Sequence, residues 1–245
     1  MTPNKVYDNG PSVLATAPPT AQDQISVGPV SLGFVKSQQQ ETCQNRGLEW
    51  ISPWIIEPNP KQNLVITSLL KTDPEYHKIE KKFKESMKGS IIDIKKITNH
   101  KLRVLFESEL KEVKKVNNNA DIDYVKLLFH GTSKLDPSLV YNGDKCFMTQ
   151  YAIDGFLGRG TYFSEKPSYA ANSAFHGPKS QKSVFLAEVI VGDSCSIEQD
   201  KNLKIPPEKN SSGVRYDSVN GKQSGSKVYV VYDHNKAYPT YLIIY

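Results

Sequence analysis

Apolar residues follow two rhythms along this chain, and the rhythm changes near its middle. From Tyr76 the apolar positions Ile79, Phe83 and Met87 recur every three or four residues, the period of a helix with one buried face. Asp73-Pro74-Glu75 precedes them, which predicts an N-cap, a proline at the first helical position and an acid in the first turn. Gly89 marks the end. The β-branched run over residues 91–97 predicts a strand. Asn99 then predicts the cap of a second helix, with Leu102, Leu105, Phe106, Leu110 and Val113 as its apolar stripe. Asn117-Asn118-Asn119 predicts a surface loop after it.

Beyond that loop the pattern belongs to strands. Leu127-Leu128-Phe129 reads as the end of a buried strand and runs straight into the polar edge His130-Gly131-Thr132-Ser133. A short helix is predicted near residues 151–157. Gly158-Arg159-Gly160 predicts a tight turn feeding the short strand Thr161-Tyr162-Phe163-Ser164. Residues 168–175 are rich in small side chains and predict a helix. Residues 184–191 form an almost unbroken apolar run, the mark of a strand buried on both faces. Residues 192–226 predict loops, and two last strands are predicted over 228–232 and 241–245. Helices first and strands afterwards, with no repeat, define an α+β class.

Composition changes the picture at the N-terminus. Residues 1–45 are rich in Pro, Gln, Asn, Ser and Thr, with scattered apolar residues, and predict a disordered or loosely attached tail. The folded domain is expected over residues 46–245, where Trp50, Ile51, Trp54, Ile55 and Ile56 begin the apolar content. A core of roughly 200 residues buries about 70% of its extended surface and needs no staples. Charge changes little: 31 Lys+Arg against 26 Asp+Glu give a formal +5. The lysines lie along helix faces, and no basic-aromatic interleave or finger spacing points to nucleic acid. Cys43, Cys146 and Cys195 are far apart, with no metal spacing and no disulfide framework, which predicts a reducing compartment, cytoplasmic or nuclear. No segment has the length and apolarity of a membrane span, and the N-terminus lacks a secretory pattern.

The chemistry-bearing segments resemble the nicotinamide-binding core of the poly(ADP-ribose) polymerase family of ADP-ribosyltransferases. The likeness rests on His130-Gly131-Thr132, Gly158-Arg159-Gly160-Thr161-Tyr162-Phe163-Ser164, Ser168-Tyr169 and Arg215-Tyr216-Asp217-Ser218-Val219. It continues through Val228-Tyr229-Val230-Val231-Tyr232-Asp233 and the stretch from Ala237 to Ile243, and reaches back to Pro53. Several segments in the right order are more specific than one short motif. The resemblance implies two packed, mainly antiparallel sheets flanked by helices. It also implies NAD as substrate, no metal, and cleavage of the nicotinamide–ribose bond with transfer of ADP-ribose to a protein acceptor. By this resemblance the Gly131 backbone pairs with the nicotinamide carboxamide, in a turn that continues through Thr132. His130 bonds a hydroxyl of the adenosine-side ribose, and Tyr162 stacks on the nicotinamide with Phe175 across the ring.

Two positions depart from the family pattern. Val228 stands where polymerising members carry a glutamate that stabilises the oxocarbenium-like sugar and activates a ribose acceptor. Loss of one such preorganised group costs roughly 100- to 1,000-fold in rate. An acceptor bringing its own carboxylate can replace much of this and a growing ribose chain cannot, so transfer of a single ADP-ribose is expected. Ala170 stands where the family usually has a serine bonded to the carboxamide, a loss of about 0.5–1.5 kcal/mol. The alternative expectation is a weakened or inactive module of the same fold that binds NAD or ADP-ribose without efficient transfer.

Overall fold

A computed structural model describes residues 63–152, 154–210 and 213–245. The expected tail over residues 1–45, and the apolar start of the domain around Trp50 and Trp54, lie outside the described residues. Strand β1 (Leu64–Ser68) leads into helix α1 (Pro74–Lys84), with Pro74 at its first position and Tyr76, Ile79 and Phe83 buried. Asp73 occupies the N-cap, but its carboxylate makes no cap bond and accepts instead from the Leu70 amide at 2.9 Å. Strand β2 (Asp93–Asn99) ends at the cap of α2 (His100–Asn117). Asn99 is fully buried and every polar group of its side chain is used. Its Oδ1 accepts from the Leu102 amide at 3.1 Å and its Nδ2 donates to the Tyr141 carbonyl at 2.8 Å.

Strand β3 (Val125–His130) follows, then the single turn α3 (Ser138–Tyr141). Residues 151–157 are not helical as expected. A 3₁₀ turn (Thr149–Tyr151) gives way to a two-residue hairpin of β4 (Asp154–Gly155) and β5 (Gly158–Arg159). The glycines decide this, because a Cβ at Gly155 would stand 2.3 Å from the Tyr162 hydroxyl. Strand β6 (Thr161–Ser164) and helix α4 (Pro167–Ala171) come next. The helix expected over residues 168–175 stops at Ala171, since edge pairing of β7 (Phe175–His176) with Ser183 and Lys182 claims the rest.

Strand β8 (Lys182–Ile190) is the centre of the molecule. Its alternate residues feed two clusters: Phe185, Ala187 and Val189 pack with Phe106 and Val113 of α2, while Val184 and Leu186 pack with Ile79 and Phe83 of α1. Side chains alternate across a strand, so burial on both faces explains the unbroken apolar run. Residues 192–226 are not all loop as expected: β9 (Ser194–Ser196) and β10 (Ser218–Gln223) are strands. The polar Asn220 and Gly221 hid β10 from its pattern, and Asn220 is buried because its Nδ2 donates to the Ser194 hydroxyl at 2.8 Å. Strands β11 (Ser226–Val231) and β12 (Ala237–Ile244) complete the chain.

The strands hydrogen-bond in the order β1-β2-β12-β8-β3-β6-β11-β10-β9, with β7 also on β8. All these pairings are antiparallel except β9 with β10. These strands form one continuous 10-stranded sheet, and its narrowest link lies between β3 and β6. Strands β3 and β6 share a single residue pair, Phe129 with Ser164. Arg103 of α2 grips Glu188 of β8 through both its terminal nitrogens at 3.0 and 2.8 Å, with its guanidinium 3.7 Å from the Tyr238 ring centroid. No helix among the described residues is long and apolar enough to cross a membrane.

Replacing Asn99 with alanine removes the α2 cap and takes the donor from the half-buried Tyr141 carbonyl. Unfolding free energy in urea should fall by about 2 kcal/mol, and a variant within 0.5 kcal/mol of the parent in the same titration would deny Asn99 this role.

Candidate active site

The sheet opens where β3 leaves β6. Continuing the register past Phe129 and Ser164 would set Gly131 opposite Tyr162, but the strands splay and no further rung forms. The His130 imidazole spans the gap, with Nδ1 2.7 Å from the Tyr162 carbonyl oxygen. A carbonyl only accepts, so Nδ1 carries the proton and Nε2 of the neutral ring keeps its lone pair. Burial lowers the His130 pKa to about 4, more than the Tyr162 carbonyl raises it, so the ring is neutral at pH 7. Its apolar surroundings are the Phe147 ring, edge-on at 5.1 Å, and the Phe163 ring, also at 5.1 Å and tilted.

Gly131 lies at the mouth of the split. A Cβ there would stand 2.2 Å from the Ser173 carbonyl and 2.4 Å from that of Ala170, so only glycine fits. Neither its N–H nor its C=O bonds to another backbone group among the described residues. The neighbouring Ser133 amide does, donating to the Ser173 carbonyl at 2.7 Å and tying this turn to the end of α4. The Thr132 hydroxyl donates to the Leu135 carbonyl at 2.7 Å.

Tyr162 is fastened at its far end. Its hydroxyl donates to the Gly158 carbonyl at 2.7 Å and accepts from the Leu157 amide at 2.8 Å. Burial pushes its pKa up to about 12, so the phenol stays neutral. With both hydroxyl bonds spent on the β4–β5 hairpin, Tyr162 offers a ring face rather than a polar tip.

These residues enclose a cavity of about 470 Å³, inside the range of small-molecule sites. Among the sequence-predicted residues, His130, Gly131, Thr132, Tyr162 and Ala170 line it, and Phe175 and Val228 do not. Phe175 has already passed onto β7. Val228 is fully buried opposite Ser164, in an apolar cluster with Leu157, Val219 and Val230 against which Tyr162 and Tyr169 pack. Tyr169, from the resembling Ser168-Tyr169 segment, and residues not singled out in the sequence complete the wall. Tyr169 of α4 donates to Gln223 Oε1 of β10 at 2.5 Å, so two distant elements close one side together. Phe147, Met148 and Tyr151 form another side. No lining residue carries a charged side chain among the described residues.

A glycine with unpaired backbone groups, a neutral imidazole acceptor and an anchored aromatic face in an uncharged slot suit a flat amide-bearing ring joined to a hydroxylated sugar. Comparison with known proteins agrees. The sequence profile of the poly(ADP-ribose) polymerase catalytic domain matches residues 73–223. The chain belongs to this family. It is 32% identical over 198 residues to a probable poly(ADP-ribose) polymerase of Dictyostelium discoideum, covering 78% of this chain and 56% of that protein. It is 29% identical over 228 residues to the protein mono-ADP-ribosyltransferase PARP11 of Mus musculus, covering 82% of this chain and 66% of the relative. With the human protein mono-ADP-ribosyltransferase PARP14 it shares 30% identity over 193 residues, 76% of this chain and 10% of that one. The chain thus spans less than two thirds of each of these relatives. Val228 falls beyond the matched residues.

The lowered His130 pKa makes stability pH-dependent. The unfolded histidine takes up a proton near pH 6.5 and the folded one only near 4, so stability is complete above 6.5 and falls as the pH drops between the two. Urea titrations of the whole chain should show about 2 kcal/mol lost to this group between pH 7.5 and 5, a share absent from His130→Gln. Equal pH dependence in both proteins would contradict the buried neutral ring.

Proposed function

We propose that this chain is a mono-ADP-ribosyltransferase that cleaves NAD at the nicotinamide–ribose bond and transfers one ADP-ribose to a protein side chain, itself included. The observation carrying this reading is the splayed β3–β6 junction, which brings the Gly131 backbone, the His130 acceptor nitrogen and the Tyr162 ring to one uncharged cavity. The Gly131 N–H and C=O are complementary to a carboxamide, which offers one acceptor and two donors. Nε2 of His130 accepts from a ribose hydroxyl. The face of Tyr162 receives the pyridinium through stacking and cation–π attraction.

As the glycosidic bond breaks, the nitrogen of the pyridinium takes the bonding pair and leaves as neutral nicotinamide, while positive charge gathers on the ribose. Rigid grips on either side of the bond favour that separation. With Val228 aliphatic and no carboxylate lining the cavity among the described residues, the negative charge is brought by the acceptor. A carboxylate acceptor attacks the anomeric carbon and forms an ester, so no general base is needed. A ribose hydroxyl lacks that charge and requires one, which limits the product to a single unit.

The uncharged wall and Ala170 also favour a second reading, a module that holds NAD or ADP-ribose without efficient transfer. Incubation with labelled NAD separates the two. One ADP-ribose per modified site is expected by mass spectrometry, with transfer falling at least about tenfold in His130→Ala and in Tyr162→Ala. Labelling unchanged in both variants would remove the proposed site, whereas calorimetric binding of NAD with no nicotinamide released over hours would establish the binding module. Restoring the hydroxyl with Ala170→Ser should tighten NAD roughly threefold to tenfold in the same calorimeter.

A further inference from the structure

The wall opposite α4 contains a backbone anomaly. Phe147 has φ +42°, a left-handed conformation that a bulky side chain adopts at a cost, and yet its ring is buried at 5% exposure. The neighbours hold it there: the Cys146 thiol donates to the Ala237 carbonyl at 2.8 Å and the Thr161 hydroxyl to the Phe147 carbonyl at 3.4 Å. Strain of this kind persists only where the surroundings over-determine it, and it clusters at functional sites. Here it places the ring edge-on to His130 at 5.1 Å and 83°, with further edge contacts to Phe163 at 5.2 Å and Phe185 at 5.5 Å.

We propose that Phe147 is a positioning residue, whose left-handed turn sets its ring against the His130 imidazole and so keeps Nδ1 on the Tyr162 carbonyl and Nε2 free as an acceptor. The hydrogen bond alone leaves the ring able to swing about it; Phe147 and Phe163 on its flanks remove that freedom. They also cover the ring with apolar surface on two sides, which favours its neutral form. The titratable side chains that share the cavity are the phenols of Tyr151, Tyr162 and Tyr169, and no acid or amine lines it among the described residues. Apolar packing therefore carries the neutrality of His130. The consequence for NAD rests on the function proposed above; the effect on the imidazole does not.

The test is ¹⁵N NMR of the histidine rings in the full chain, with His130 assigned among the five histidines by the signals missing from His130→Gln. In the parent, His130 should hold one tautomer, protonated at Nδ1, and stay untitrated from pH 8 to 5. Phe147→Gly removes the ring while relaxing the backbone, because glycine adopts positive φ freely, so it does not fail merely through added strain. In Phe147→Gly the His130 midpoint should move at least one pH unit towards 6.5, a tenfold gain in proton affinity, with both tautomers present. Phe147→Leu keeps an apolar flank and should fall between. NAD turnover should then show KM raised about tenfold in Phe147→Gly with kcat changed less, and an acid limb near pH 6 that the parent lacks. Tautomer and titration identical in Phe147→Gly and the parent would overturn the proposal. A parent that neither binds nor cleaves NAD would sink the functional reading, while the ring spectra would still decide the role of Phe147.

Discussion

One hydrogen bond stands where a strand rung should be. Antiparallel strands normally extend their pairing as far as both backbones allow, because an unpaired buried amide or carbonyl costs free energy. Here β3 and β6 stop after a single pair, and the His130 ring supplies the bond that the Gly131 backbone would have made to Tyr162. The side chain reaches farther than a backbone amide, so the strands stay apart while the Tyr162 carbonyl remains satisfied. The gap left between them is the cavity, and Gly131, released from the ladder, lines it.

That exchange works only if the imidazole is neutral and immobile. A protonated ring would carry charge into a wall made of Phe147 and Phe163, at a cost of several kcal/mol when buried without a partner. Neutrality in turn suits a cavity whose lining among the described residues carries no charged side chain. The site depends on shape, on neutral acceptors and donors, and on aromatic faces. On the function proposed above, charge for the reaction comes from NAD and from whatever accepts the ADP-ribose. Val228, buried with Leu157, Val219 and Val230 against Tyr162 and Tyr169, adds no charge beside them.

Much of this was legible in the residues themselves. The starts of α1 and α2 follow local rules, and their periodic faces are the ones buried. The apolar run of β8 announced burial on both sides. Pattern alone marked a polar strand end at His130 and Gly131 and a turn before Tyr162; their roles at a site came from the resemblance of these segments to the family. Strand β10 was not legible, since Asn220 and Gly221 break the alternation and only the partner Ser194 makes a buried amide tolerable there. Nor was Phe175 separable from a helix, because edge pairing with Ser183 is decided 8 residues later in the chain.

Local spacing by itself settled α1, α2 and the strands β2, β3, β6, β8 and β11, because helix and strand periods are properties of neighbouring residues. Which of those residues share a wall was left to the packed molecule. The bond from Tyr169 to Gln223 joins positions 54 residues apart, and that from His130 to the Tyr162 carbonyl joins positions 32 apart. The left-handed Phe147 is held through distant partners, Thr161 on its own carbonyl and Ala237 on the thiol of the preceding Cys146. Such choices follow from cooperative burial across the sheet, where each long-range contact becomes favourable only once the others have ordered the chain around it.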